Sequence, residues 1–212
     1  MITIKGLEKK FQNETTIKYQ DLVFEDNKKY ILLGASGCGK STLLNMISGI
    51  LSPNCGEIYI DGEEMTCLSQ RHKDNYRIKN IGYIFQDFKL IEDMSVMDNI
   101  NVLRLEGVDT SKAGDLLKEL GIYGMRNKKI KQLSGGEKQR VAIARALVKT
   151  PNIILGDEPT GNLNYTIGEK VIQELVKASE GKTLIVVSHD ERLTKYFDEV
   201  IDMNKVTQSK DN

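Results

Sequence analysis

The sequence predicts an α/β fold in which a mostly parallel sheet is flanked by helices. Three short apolar runs, rich in β-branched residues and leucine, precede polar or glycine-containing turns, as strands buried on both faces do: residues 30–33, 153–155 and 184–187. Three longer segments carry apolar residues at helical spacing: residues 40–50, 139–149 and 167–179. Such alternation of short strands and longer helices is typical of a parallel sheet with helices packed on its faces.

The remaining segments predict two attachments to this sheet within a single domain. Residues 1–30 resemble a meander of short antiparallel strands, and residues 87–150 carry helical periodicity, so we expect a β subdomain and a helical insert. The core then comprises residues 31–86 and 151–203. The polar tail, residues 204–212, is expected to fray.

Composition limits the class of protein. The 212 residues suit one domain, and the 30 basic and 30 acidic residues cancel, which argues against a general attraction to nucleic acid. The three cysteines, Cys38, Cys55 and Cys67, fit no metal-ligand spacing and indicate a reducing compartment. A membrane span needs about 20 apolar residues in a row, and neither such a run nor a signal peptide is visible. We therefore expect a cytoplasmic protein.

A phosphate-binding loop is the most specific motif in the chain. Residues 34–41 fit G-x-x-x-x-G-K-[ST] between a predicted strand and a predicted helix. Glycines let consecutive backbone N–H groups point into one hollow, and the helix N-terminus adds partial positive charge. Lys40 would reach the β- and γ-phosphates of ATP, and the Ser41 hydroxyl would coordinate Mg²⁺. The predicted nucleotide-binding residues are Gly34, Ala35, Ser36, Gly37, Cys38, Gly39, Lys40, Ser41 and Thr42. This motif predicts a RecA-like P-loop NTPase core.

Two adjacent carboxylates follow the buried strand at residues 153–155. Ligands of open α/β sheets bind at the carboxyl ends of the strands, where Asp157 and Glu158 lie. Asp157 would hold Mg²⁺, through water molecules in part, since Mg²⁺ keeps much of its hydration shell. Glu158 would accept a proton from the attacking water or orient it.

A third motif narrows the family. Ser134 and Glu137 have the spacing of a capping box, and the glycines between them leave helix N–H groups accessible to phosphate. The stretch from Leu133 to Glu137, LSGGE, with its continuation KQRVAIARAL, resembles the signature motif of ABC ATPases. The resemblance implies that Ser134, Gly135, Gly136 and Glu137 contact the nucleotide held by another subunit. It therefore implies a head-to-tail dimer with two ATP molecules between the chains.

Three further positions follow from this resemblance. Gln86 matches the glutamine that contacts Mg²⁺ and the water and reports to the membrane subunit, and His189 matches the histidine that touches the γ-phosphate. Phe11, 23 positions before Gly34, stands where the family places an aromatic residue on adenine, although a Phe here could equally be a core residue.

The resemblance covers nearly the whole chain but includes departures from the family pattern. Residues 159–164 look like a stretch of the macrolide-exporter and lipoprotein-release subfamily, with Asn164 where Asp is usual. Glu137 replaces the usual Gln, and residues 203–206 stand where a glycine-containing turn and a further strand are expected. The Asp that the family usually has at this position lies at the dimer contact. With Asn164 in its place, coupling between the two sites in this chain could differ from that in the family.

The expected function is ATP hydrolysis with Mg²⁺ by a dimer, made with a second copy or a paralogous subunit. The dimer would power a separate membrane permease from the cytoplasmic face, for extrusion of peptides, lipids or drugs. One alternative is a regulatory ATPase that pulls on a membrane partner without transport. A soluble ABC protein acting on DNA or ribosomes is disfavoured by the single cassette and the neutral charge, so no nucleic-acid partner is expected.

Overall fold

The computed structural model of the chain describes residues 1–11 and 15–210. Within these residues, a five-stranded parallel sheet has the strand order β10-β4-β9-β8-β7. Its strands are β4 (Lys29–Leu33), β7 (Ile81–Ile84), β8 (Ile153–Asp157), β9 (Thr183–Ser188) and β10 (Glu199–Asp202). The predicted α/β fold class is confirmed, and the three predicted strands are β4, β8 and β9.

Alternate residues of the central strands pack into two separate hydrophobic cores. Ile31 of β4 joins the core on the helical side, whereas Leu32 joins the core under the second sheet. In β9, Leu184 likewise joins the core on the helical side and Ile185 joins the core under the second sheet. A strand covered on both faces needs apolar residues at every position, which explains its unbroken apolar sequence.

Seven α-helices lie within the described ranges. They are α1 (Lys40–Ile47), α2 (Gln70–Asn80), α3 (Val96–Asn101), α4 (Ala113–Glu119), α5 (Gly135–Leu147), α6 (Tyr165–Ala178) and α7 (Met203–Val206). Ser134 caps α5 and Asn164 caps α6, each accepting a backbone N–H three residues later. Residues 87–150 hold α3, α4, α5 and short 3-10 turns.

The second sheet is antiparallel and draws on three distant parts of the chain. Among the described residues its main order is β11-β2-β1-β5-β6, with β3 paired to β1. The strands are β1 (Ile2–Lys10), β2 (Thr16–Tyr19), β3 (Leu22–Phe24), β5 (Cys55–Ile60), β6 (Glu63–Glu64) and β11 (Thr207–Lys210). Helix α1 contributes Leu43 and Leu44 to the core that this sheet shares with the parallel sheet.

Two predicted boundaries differ from the structure. The antiparallel subdomain is not confined to residues 1–30, because residues 55–64 and 207–210 complete it. The predicted polar tail is also ordered as far as residue 210, as α7 and then β11, which pairs antiparallel with β2. Pairing with β2 satisfies the backbone N–H and C=O groups of β11, so this strand can form without an apolar pattern in its sequence. Residues 211–212 of the predicted tail lie outside the described residues.

Candidate functional site

The phosphate loop connects β4 to α1. Gly39 has φ 98° and forms the N-terminal boundary of α1, a left-handed conformation that favours glycine. Among the described residues no side chain caps α1, so its first N–H groups remain available to an anion. Lys40 is only 6% exposed, and its Nζ donates to the carbonyls of Gly34 and Ala35 at 2.8 and 2.9 Å. The ammonium group is thus held within the loop.

Two of the three predicted metal ligands, Ser41 and Asp157, meet beside this loop. The Ser41 hydroxyl donates to Oδ1 of Asp157 at 2.6 Å, which joins the start of α1 to the end of β8. Burial raises the pKa of the Asp157 carboxyl, while the hydrogen bond from Ser41 opposes that rise. A bound cation would stabilise the charged form of this carboxylate.

This pair fits Mg²⁺ better than a metal held entirely by the protein. In the part of the chain that the structure describes, no cluster of three or more His, Cys, Asp or Glu side chains could hold a metal. Mg²⁺ typically takes one or two protein oxygens and completes its shell with water and substrate phosphate. Ser41 and Asp157 offer a hydroxyl and a carboxylate of that kind, beside the loop where phosphates would lie.

Glu158 and His189 form the second polar pair of the site. His189 Nδ1 lies 2.9 Å from Glu158 Oε2, and the Glu158 side chain is 13% exposed whereas that of His189 is 69% exposed. Glu158 has φ 46°, and its N–H donates to the Val187 carbonyl at 3.1 Å. The histidine thus contacts one of the two carboxylate oxygens of Glu158.

A cleft of about 450 Å³ brings together half of the predicted site residues. Its lining consists of Ser36, Gly37, Gly39, Lys40, Ser41, Thr42, Gln86, Glu158 and His189. Gln86 is tied to the loop after Glu158, because the Asn162 side-chain amide donates to the Gln86 carbonyl at 2.9 Å. A cation, phosphate-binding N–H groups and a carboxylate therefore face one space, as a triphosphate hydrolysis site requires.

Phe11 and Cys38 lie against the core in this structure. Phe11 is partly buried, packs against the core shared by the two sheets and donates its N–H to Thr15. Cys38 also packs there and lies close beneath Gly34. Neither belongs to the cleft lining described above, so adenine stacking by Phe11 stays a prediction.

The signature segment forms a capped helix start apart from the cleft. Ser134 N–H and Oγ donate to Glu137 Oε2 at 2.7 and 2.8 Å, and these bonds hold the pKa of Glu137 below its ordinary value. A Cβ added to Gly136 would lie 2.7 Å from Ile167, so α6 approaches too closely for a larger residue. In the described chain, residues 134–137 do not contribute to the cleft lining.

Two contacts of the site were not predicted from the sequence. The Tyr19 hydroxyl donates to the Gly39 carbonyl at 2.9 Å, and the Tyr83 hydroxyl donates to the Asn45 side chain at 3.0 Å beside Asp157. Alternation in β2 could have placed Ile17 and Tyr19 on one face. Nothing in the sequence indicates that this face meets the phosphate loop.

The fold and site define a P-loop nucleoside triphosphatase, in which the phosphate loop follows β4 and the acidic pair ends β8, two parallel strands with β9 between them. The sequence profile of the family described as "ABC transporter" matches residues 17–161. The chain belongs to this family and is an ABC-type ATPase.

Three curated relatives show the range of similarity. An uncharacterized ABC transporter ATP-binding protein of Mycobacterium tuberculosis is 42% identical over 187 residues, covering 85% of this chain and 75% of that protein. The lipoprotein-releasing system ATP-binding protein LolD of Bacteroides fragilis is 35% identical, covering 96% and 97%. The macrolide export ATP-binding/permease protein MacB of Escherichia coli is 36% identical, covering 96% of this chain but 33% of that protein.

Solved structures support the same fold. An ATP-binding cassette in a dimeric, post-hydrolysis state bound to ADP and Pi has a TM-score of 0.85 and 33% identity, with 100% of this chain and 98% of that chain covered. Within residues 1–11 and 15–210, no helix combines the length and apolar character needed to cross a membrane.

Proposed function

We propose that the chain hydrolyses Mg²⁺-bound ATP as a head-to-tail dimer and powers a separate membrane permease, for extrusion or release rather than uptake. One observation carries the proposal. Lys40, Ser41 and the Glu158–His189 pair line one cleft, with Asp157 hydrogen-bonded to Ser41, while the capped turn at Ser134 is not part of that lining. A second chain would supply the missing turn.

Each group has a role that its chemistry supports. Lys40 and the free N–H groups of α1 bind the β- and γ-phosphates, and Ser41 and Asp157 hold the cation. Mg²⁺, when bound, neutralises charge on the phosphate oxygens. Glu158 takes the proton of the attacking water, and His189 holds the Glu158 carboxylate in position. Gln86, at the edge of the cleft, senses the nucleotide and passes its state to the permease.

The membrane partner and the direction of transport rest on the relatives. LolD and the macrolide exporter MacB are 35% and 36% identical to this chain, each over 96% of its length. We infer a location at the cytoplasmic face of the membrane, reached through the permease, and a second copy or a paralogous subunit as dimer partner.

The proposal is tested by mixing two inactive variants. In Lys40→Ala the phosphate site is impaired, and in Ser134→Arg the bulky cation blocks the space meant for the partner's phosphate. Each mixed dimer has one site with both defects and one with neither, so ATPase activity is expected to rise above that of either variant alone. Ser111→Arg, at an exposed serine before α4, is the matched control and should retain activity.

Protein concentration provides the decisive arm of this experiment. While monomer predominates, specific activity should increase with concentration, because two chains must meet for each turnover. Constant specific activity from a species shown by light scattering to remain monomeric would contradict the dimer.

A further inference from the structure

The underside of the phosphate loop packs directly on the antiparallel sheet. Ile17 and Tyr19 alternate along β2 and are both 5% exposed. A Cβ added at Gly39 would lie 2.6 Å from the Tyr19 hydroxyl and 3.1 Å from Ile17. Gly39 therefore packs directly against these two side chains, with no room for a side chain of its own.

The Tyr19 hydroxyl makes a specific bond to this glycine. It donates to the Gly39 carbonyl at 2.9 Å, and that carbonyl also accepts the Leu43 N–H at 2.9 Å as the first bond of α1. Thr42 hydrogen-bonds the same tyrosine hydroxyl, and burial raises the Tyr19 pKa, which keeps the donor protonated. The bond thus fixes the peptide unit that leads into Lys40.

Tyr19 itself stands on a rigid base. Its strand pairs with β1 on one side and with β11 on the other, where Tyr19 lies opposite Thr207. The backbone that carries Tyr19 thus lies within the sheet, and the side chain is buried. The orientation of the Gly39 carbonyl also sets the direction of the following N–H, because the peptide unit is planar.

We infer that Tyr19 is a positioning residue for phosphate binding, which holds the Gly39–Lys40 peptide so that its N–H points into the cleft. This rests on the proposed binding of phosphates by residues 34–42. Without the hydroxyl the Gly39 carbonyl keeps its bond from Leu43, so the helix still forms. The loop is then no longer held in its binding conformation, so the free energy of ordering it reduces the affinity for phosphate.

The test compares Tyr19→Phe with Tyr30→Phe. Tyr30 is equally buried, at 4% exposure, and its hydroxyl accepts the Glu25 N–H at the far end of β4 from the loop. Binding of ATP and of inorganic tripolyphosphate is measured by calorimetric titration, and stability by urea unfolding. Tyr19→Phe is expected to weaken both ligands about fivefold, which is about 1 kcal/mol, while Tyr30→Phe binds both as the parent does.

Tripolyphosphate isolates the loop from any contact with the base or sugar. If Tyr19→Phe is too unstable to titrate, Ile17→Val removes one methyl group from the same surface and should weaken tripolyphosphate in the same direction. Parent-like tripolyphosphate affinity in the Tyr19 variant, or an equal loss in Tyr30→Phe, would overturn the inference. Failure of the parent to bind tripolyphosphate, or no effect of Lys40→Ala, would instead reject the proposed function of the loop.

Discussion

Replacing Glu158 by glutamine separates ATP binding from hydrolysis. The amide is nearly isosteric, occupies the same left-handed backbone, and its oxygen can still accept a hydrogen bond from His189 across the 2.9 Å gap. It cannot accept the proton of water. A positioned general base contributes about 10²- to 10⁴-fold, so kcat should fall by that factor, an increase of about 3–5 kcal/mol in the barrier.

ATP binding should survive this change. Lys40 is held by the carbonyls of Gly34 and Ala35, in the loop that follows β4, whereas Glu158 follows β8. Without turnover the closed dimer should accumulate in ATP. Hydrolysis is measured by phosphate release, ATP affinity by nucleotide titration, and accumulation of the dimer by size-exclusion chromatography.

Glu174→Gln is the matched control for Glu158→Gln. Glu174 lies on α6 outside the cleft and forms a two-bond ion pair with Arg140, at 2.7 and 2.9 Å. Its loss should lower stability while leaving hydrolysis near the parent rate. Hydrolysis by Glu158→Gln within about threefold of the parent would refute the role of Glu158 as general base.

Three further predictions concern the phosphate loop, the contact with adenine and the stability of the fold. Lys40→Ala should weaken ATP binding by at least about tenfold in a direct titration, because the phosphates lose a cation held at close range. Phe11→Ala should weaken ATP but not tripolyphosphate; unchanged ATP affinity with reduced stability would assign Phe11 to the core. Burial lowers the pKa of Lys149 to about 8 from 10.5, so the unfolded chain binds its proton more tightly. Stability should therefore rise with pH between those values, and urea unfolding of Lys149→Met should show a smaller rise and a gain of about 1–2 kcal/mol at pH 7.

The parallel core could be predicted because burial on both faces leaves an unbroken apolar sequence. The phosphate loop could be predicted because its chemistry fixes the spacing of glycine, lysine and serine. By contrast, α2 (QRHKDNYRIKN) has almost no apolar side chain, so its helical period is invisible, and its capping serine, Ser69, was the available signal. The strand β11, with the sequence TQSK, is specified by pairing with β2 and not by its own residues.

The site shows the same limit. Sequence motifs named the groups that face the cleft, since their residue types follow from reaction chemistry. The contact between Tyr19 and Gly39 joins residues 20 positions apart through tertiary packing. Local spacing carries no information on such a contact.

The division of the antiparallel sheet among three distant segments has a consequence for how the chain matures. β2 cannot gain its second neighbour until residues 207–210 have left the ribosome, and the edge strand of the parallel sheet, β10, also comes late. Pairings of such long sequence separation form slowly and leave strand edges exposed meanwhile. A nascent chain that has already completed its phosphate loop at residue 41 is therefore expected to gain full affinity for nucleotide only after residues 207–210 have emerged and paired with β2. Until then the edge of β2 that later pairs with β11 is exposed and accessible to chaperones.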